Sequence, residues 1–259
     1  MKVKAGLIGC VVLLSCTFNK EEQKNNAAVL GNKHVQVKQV RHKPIQAATG
    51  LSDSILRNGL VDVNKMNNAI VFDIKYATTD NFTKQQLYFK INRAYLQKDV
   101  ADKLNKAQQV LTSLHSDYHL LIYDAIRPRE VQYRMWNALD SIPVNERTKF
   151  VSNPKNGSIH NYGAAVDLTI CDASGVPLDM GAGYDDIRKI AYPSLEKKFL
   201  ASGELKPIHI ENRKLLRKVM SAGGFTNIET EWWHFNACSR DQAKLKYKIV
   251  ETEKDVFAN

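Results

Sequence analysis

Ser158-Ile-His160-Asn-Tyr-Gly163-Ala-Ala-Val-Asp167 is the stretch on which the reading of this chain turns. From Ala164 it runs on as AAVDLTI to Ile170, apolar except at Asp167 and Thr169, which predicts a buried strand. His160 then falls in the loop before that strand and Asp167 falls within it. Gly163 between them lets the backbone bend. A second stretch, Glu231-Trp-Trp-His234, opens another predicted strand over 231–237 (EWWHFNA). Laid beside the first strand, it would bring a second imidazole and a second carboxylate to the same place. Glu231 and His234 are three residues apart, and on an ideal strand they would face opposite sides. Both reach one site only if Glu231 lies at a bulge or at the entry of the strand.

Working outward, strands are expected over 69–76 (AIVFDIKY), 118–123 (YHLLIY) and 164–170. Leu96, Val100, Leu104, Ala107, Val110 and Leu111 recur at spacings of three and four, which predicts an amphipathic helix over 93–114. Further helices are expected over 129–139, starting just after Pro128, and over 208–222, ended by Gly223-Gly224. Strands and helices mix without regular βαβ repetition and without an internal repeat. The class is therefore α+β, a small mostly antiparallel sheet with flanking helices.

Two histidines and one carboxylate are a ligand set for a catalytic zinc ion, which commonly takes three protein ligands and leaves a fourth position for water. The remaining carboxylate is then free to act as general base. Each residue also has a plainer reading: a histidine beside an aspartate is often a structural hydrogen-bonded pair, and the two tryptophans are often core. Spacing alone leaves both readings open.

The pattern Ser-x-His-x6-Asp followed by Glu-x-Trp-His resembles the signature of the D-Ala-D-Ala dipeptidases, the VanX-type branch of the zinc D,D-peptidases. Three other segments are similar to segments of that family: Lys75-Tyr-Ala-Thr-Thr-Asp-Asn-Phe-Thr83 to KYATxDNFT, Asp124-Ala-Ile-Arg127-Pro128 to DxYRP, and Met180-Gly-Ala-Gly-Tyr-Asp185 to MGTxFD. The five matches run in the family's order and span the folded part of the chain. The resemblance implies a zinc D,D-peptidase-like fold and hydrolysis of D-alanyl-D-alanine, with one zinc ion per chain held by His160, Asp167 and His234. It implies Glu231 as general base and Arg127 as the partner of the developing oxyanion, oriented by Asp124. It further implies Asp185 as receiver of the substrate ammonium, with Ser158, Tyr76 and Tyr88 lining the pocket. Ile126 and Ala182 depart from the family's aromatic residue and threonine, which bears on pocket shape. A D,D-carboxypeptidase or endopeptidase acting on peptidoglycan stem peptides would use the same zinc and Glu231. A non-catalytic wall-peptide-binding lipoprotein would have no need of that carboxylate.

The N-terminus reads as an export signal. Lys2 and Lys4 precede an uncharged run from Ala5 to Ser15, too short to cross a bilayer as a helix. The run ends at Leu13-Leu14-Ser15-Cys16, which resembles a bacterial lipobox. Residues 1–16 are therefore expected to be a lipoprotein signal with Cys16 lipidated, residues 17–55 a disordered basic tether, 56–250 the catalytic domain and 251–259 a C-terminal tail. The formal net charge is +10, and six basic residues against two acidic ones lie between Lys20 and Lys43. A basic tether suits an anionic envelope surface. No motif supports nucleic acid as a partner. The expected location is the cell envelope, lipid-anchored, on the periplasmic or outer-membrane surface, and the expected partner a small D,D-dipeptide. Cys171 and Cys238 follow Asp167 and His234 at equal offsets, which favours a disulfide only if the two strands run parallel.

Overall fold

The computed structural model describes residues 57–257. The signal expected over 1–16 with Cys16, and the tether over 17–55, lie outside the described residues. Within them the strands are β1 (Leu60–Asp62), β2 (Val71–Phe72), β3 (Tyr95–Gln97), β4 (His119–Asp124), β5 (Ala165–Cys171), β6 (Thr226–Asn227) and β7 (His234–Asn236). The α-helices are α1 (Val63–Met66), α2 (Lys98–Leu114), α3 (Arg129–Ala138), α4 (Glu196–Ala201), α5 (Pro207–Gly223) and α6 (Arg240–Lys246). One sheet has the order β2-β4-β5-β7-β6, antiparallel throughout except for the β2–β4 pair; β1 and β3 form a separate antiparallel pair. The fold is α+β with small, mostly antiparallel sheets.

β5 is the centre of the molecule, and all seven of its residues are buried. Alternation along it sends Val166, Leu168 and Ile170 to one face and Asp167 to the other. α2 buries Val100, Leu104, Ala107 and Leu111 along one stripe. It packs closely on α5: a Cβ on Gly223 would sit 2.7 Å from the Lys103 carbonyl oxygen, so only glycine fits there.

Four elements differ from the sequence expectation, each for a local reason. The strand expected over 69–76 stops at Phe72, and Lys75–Ala77 forms a 3-10 turn closed by Lys75 pairing with Asp73 and Asp80 at 2.7 and 2.6 Å. The helix expected from Arg93 starts at Lys98, because Tyr95–Gln97 pair with β1 instead. The strand expected over 231–237 is only His234–Asn236, since the Asn227 amide holds the carbonyls of Glu231 and His234 and fixes a turn before it. The C-terminal residues expected as a tail are part of the fold: Glu253 and Val256 are buried, and the Phe257 ring meets Tyr95 edge-on at 5.6 Å. β5 and β7 run antiparallel, and Cys171 and Cys238 are both free thiols.

Candidate active site

The site is built on one row across the sheet. Asp167 lies directly opposite Asp124 of β4 on one side and directly opposite His234 of β7 on the other, with a register shift in β4 just before Asp124. His160 joins the row from the short turn Ile159–Tyr162. Gly163 ends that turn with φ +67°, and a side chain there would sit 2.8 Å from Leu60 Cδ2. Asn161, fully buried, ties the turn down: its Oδ1 accepts from the Ser158 amide at 2.6 Å and its Nδ2 donates to the Arg127 carbonyl at 2.6 Å.

His160 Nε2, His234 Nδ1 and Asp167 Oδ1 form a triangle with sides of 3.2, 3.3 and 2.9 Å. An ion bound tetrahedrally at about 2.0–2.1 Å separates its ligands by about 3.3 Å, so this triangle fits zinc. The ring tautomers agree. His160 Nδ1 donates to the Ala125 carbonyl at 2.7 Å, which leaves a lone pair on Nε2. His234 Nε2 bonds Asn236 Oδ1 at 2.9 Å, which leaves the lone pair on Nδ1. Outer partners of this kind fix the orientation of metal-binding histidines. Two lone pairs and a carboxylate oxygen thus converge, and the set calls for a cation. Burial alone would push Asp167 up, but His160 and His234 outweigh it and hold it far below the usual carboxylate range. Burial lowers His234, but Asp167 outweighs it and pushes the ring up to about 9, so a cation gains the Nδ1 lone pair by displacing a proton. Among the described residues this is the group of histidines and carboxylates placed to hold a metal ion.

Glu231 lies in the turn that enters β7, as its spacing from His234 demands, with Oε2 3.9 Å from His234 Nδ1. Burial raises its carboxyl above the ordinary value, against the pull of His234. Arg127 reaches the row from the other side. Its Nε and Nη2 hold Asp124 Oδ2 at 2.9 and 2.7 Å, and Nη2 also approaches Asp167 Oδ2 at 3.4 Å. Asp185 sits at φ +58° on the loop after Met180, and the Tyr76 hydroxyl donates to both its carboxylate oxygens at 3.0 Å. Burial and then Asp167 push the Asp185 carboxyl well above its usual range, and a cation brought to it would oppose that shift.

These groups open onto a cavity of about 540 Å³. His160, Asp167, His234, Glu231, Arg127, Asp185, Ser158 and Tyr76 all line it. Tyr88 and Asp124 do not. Tyr88 is buried behind the wall, donating to Asp124 Oδ1 at 2.6 Å, so the expectation that it lines the pocket is corrected: it braces the carboxylate that holds Arg127. Ser158 Oγ lies 3.3 Å from Gln132 Oε1, which also takes Arg127 Nη1 at 3.3 Å.

Sequence reasoning passed over several contributors. Asn236 lies two residues after His234, and the period of a strand puts the two on one face, so it was within reach. Tyr184 lies beside Asp185 in a segment already singled out; its hydroxyl is 3.3 Å from Asp167 Oδ2 and its ring packs on Tyr123 and Trp233 at 4.9 and 5.5 Å. Nothing in the sequence marks Gln132, which meets the site only because α3 turns back past Pro128.

The Peptidase M15 family model, described as D-ala-D-ala dipeptidase, matches residues 56–255. The D-alanyl-D-alanine dipeptidase of Escherichia coli (strain K12) is 35% identical over 176 residues, covering 68% of this chain and 83% of its own. The D-alanyl-D-alanine dipeptidase of Enterococcus faecalis (strain ATCC 700802 / V583) is 29% identical over 194 residues, 70% of this chain and 92% of its own. A solved structure of the LdcB LD-carboxypeptidase aligns over 72% of this chain and 71% of its own, with a TM-score of 0.41 and 18% identity.

Proposed function

The chain belongs to the D-ala-D-ala dipeptidase family, and from that premise we propose that it is a zinc-dependent hydrolase that splits D-alanyl-D-alanine into two D-alanines. The observation that carries the reading is the His160–Asp167–His234 triangle with a carboxylate, Glu231, 3.9 Å from one of its corners. His160 Nε2, Asp167 Oδ1 and His234 Nδ1 would hold the ion. Zinc there supplies Lewis acidity, polarising the scissile carbonyl and making water nucleophilic near neutral pH.

The chain's own residues do the rest. Glu231 takes the proton of the attacking water and passes it to the leaving amine. The Arg127 guanidinium, with Nη2 beside Asp167, lies where negative charge develops on the carbonyl oxygen, and Asp124 keeps it aimed there. Asp185 receives the substrate ammonium, with the Tyr76 hydroxyl fixing its orientation. Ser158 and Tyr76 line the pocket. We further propose that Cys16 carries lipid and anchors the enzyme to the cell envelope through the basic segment that follows; radiolabelled fatty acid incorporated into wild type and lost in Cys16→Ala is the expected result.

The test is hydrolysis by a form lacking residues 1–16. Zinc-loaded wild type should cut D-Ala-D-Ala, and chelation should abolish cutting. Glu231→Ala should lower kcat by about 10³-fold or more while keeping stoichiometric zinc. Cutting of an N-acetylated tripeptide ending in D-Ala-D-Ala, instead of the dipeptide, would make the enzyme a carboxypeptidase and remove the role given to Asp185. No cutting of either would leave a binding protein.

A further inference from the structure

A zwitterionic dipeptide brings a carboxylate as well as an ammonium, and the roles assigned so far leave that carboxylate without a cation. The cavity wall is hostile to it. Asp167, Asp185, Asp186 and Glu231 all line the space, and burying a second anion among them is costly. Among the described side chains two arginines and no lysine line the same wall: Arg127 and Arg240. Arg127 is committed to Asp124 at 2.7 Å and leans on Asp167 at 3.4 Å. Arg240, the first residue of α6, is half-buried, and among the described residues no carboxylate pairs with it.

Its place in the fold suits the task. α6 follows β7 directly, so Arg240 lies beyond His234 and Asn236, while Asp185 is bonded to Tyr76 on the β2–β4 side. Both groups open onto the one cavity, Arg240 from the helix that packs on the Ile159–Tyr162 turn and Asp185 from the loop after Met180.

We infer that Arg240 receives a carboxylate on the C-terminal residue of the substrate, either its main-chain carboxylate or an acidic side chain there. The assignment rests on the dipeptidase reading. A guanidinium suits it because its planar fork binds carboxylate through two hydrogen bonds.

The test compares D-Ala-D-Ala, its C-terminal amide and D-alanyl-D-glutamate as substrates of zinc-loaded wild type, Arg240→Gln, Arg240→Lys and Lys244→Gln. Lys244→Gln removes the same charge from an exposed position on α6. Arg240→Gln should raise KM about 10–100-fold, with a much smaller change in kcat. Arg240→Lys should recover part of the loss, and Lys244→Gln should match wild type; thermal melting confirms that each variant is folded. If the main-chain carboxylate is the partner, the loss falls on D-Ala-D-Ala, and wild type disfavours the amide by a similar factor. If an acidic side chain is the partner, the loss is confined to D-alanyl-D-glutamate. Equal KM values for both acids in wild type and folded Arg240→Gln would overturn the assignment while leaving the dipeptidase intact. Failure of wild type to cut any of the three would overturn both readings together.

Discussion

Arg127 and Arg134 lie seven residues apart around the start of α3, and each stacks a guanidinium on an aromatic ring, Tyr76 at 5.4 Å and Phe89 at 4.9 Å. Each also pairs with a buried carboxylate, yet the two are used differently. Arg134 makes short bonds to Glu253 and the Leu87 carbonyl, both 2.7 Å, and Glu253 in turn accepts the amides of Phe89, Lys90 and Ile91 at 2.9, 2.6 and 3.1 Å. That constellation is saturated, and it fastens the C-terminal segment to the chain ahead of β3. Arg127 is held firmly only by Asp124. Its remaining bonds, to Gln132 and Asp167, are long at 3.3 and 3.4 Å, and it faces the cavity. Donors left partly unmade are free for an oxygen whose charge grows only during reaction. The lesson is that the same ion-pair chemistry serves structure when complete and, on the proposed reading, catalysis when one side is left open.

The sharpest test replaces each arginine by lysine, which keeps the charge and loses the fork. Arg127→Lys should lower kcat for D-Ala-D-Ala by about 10²–10³-fold. Arg134→Lys should leave kcat within about twofold and lower the thermal midpoint. Equal losses of kcat would break the distinction. Next in size, Glu253→Ala strands three backbone amides and leaves Arg134 paired with Glu130 alone, at 3.2 Å. It should cost about 3 kcal/mol in urea unfolding, with kcat per folded molecule unchanged.

A smaller effect is read in acid. Burial alone would raise the Glu253 carboxyl, but Arg134 and the backbone amides outweigh it and hold it below its ordinary value of about 4.5. A carboxyl depressed by folding stabilises fully above its unfolded value, and that contribution is lost as pH falls through the folded one. Stability of wild type should therefore drop more steeply below pH 4.5 than that of Glu253→Gln, measured by urea titration at fixed pH. Parallel curves would mean that Glu253 is not held in its charged form by folding.

The cluster of side chains beside Arg127 was legible in the sequence and the bracing around Arg134 was not. His160, Asp167, Glu231 and His234 stand in two short segments, so local spacing and strand periodicity suffice to bring them together. The demand that Glu231 sit at the entry of its strand follows from the pleat alone, and the turn at 231–233 meets it. Glu253 and its amide partners are more than 160 residues apart in the chain. No period or motif joins such groups, and a short C-terminal run with three acids reads equally well as a tail. The start of α2 was misread for a related reason: helical spacing includes Leu96, but pairing with β1 claims that residue for a strand. Tyr88 was placed in the right neighbourhood and on the wrong side of the wall, because proximity to a motif does not tell which face a ring presents.

Tyr88 therefore supports the finest test of the comparison. It is fully buried, and burial, then Asp124, pushes its hydroxyl well above the ordinary range, so it remains a donor. Its 2.6 Å bond to Asp124 Oδ1 is one of the restraints on the carboxylate that aims Arg127; Arg127 itself supplies the others through Asp124 Oδ2. Tyr88→Phe keeps the ring, including its edge contact with Tyr76 at 5.9 Å, and removes only the hydroxyl. Stability should fall by about 1–2 kcal/mol, the value of a hydrogen bond to a charged acceptor. With Asp124 less firmly held, kcat should fall by a few-fold through misalignment of the guanidinium, and KM should stay put, because the phenol does not touch the cavity. A rise in KM with kcat preserved would return Tyr88 to the substrate pocket and reverse the assignment of its side of the wall.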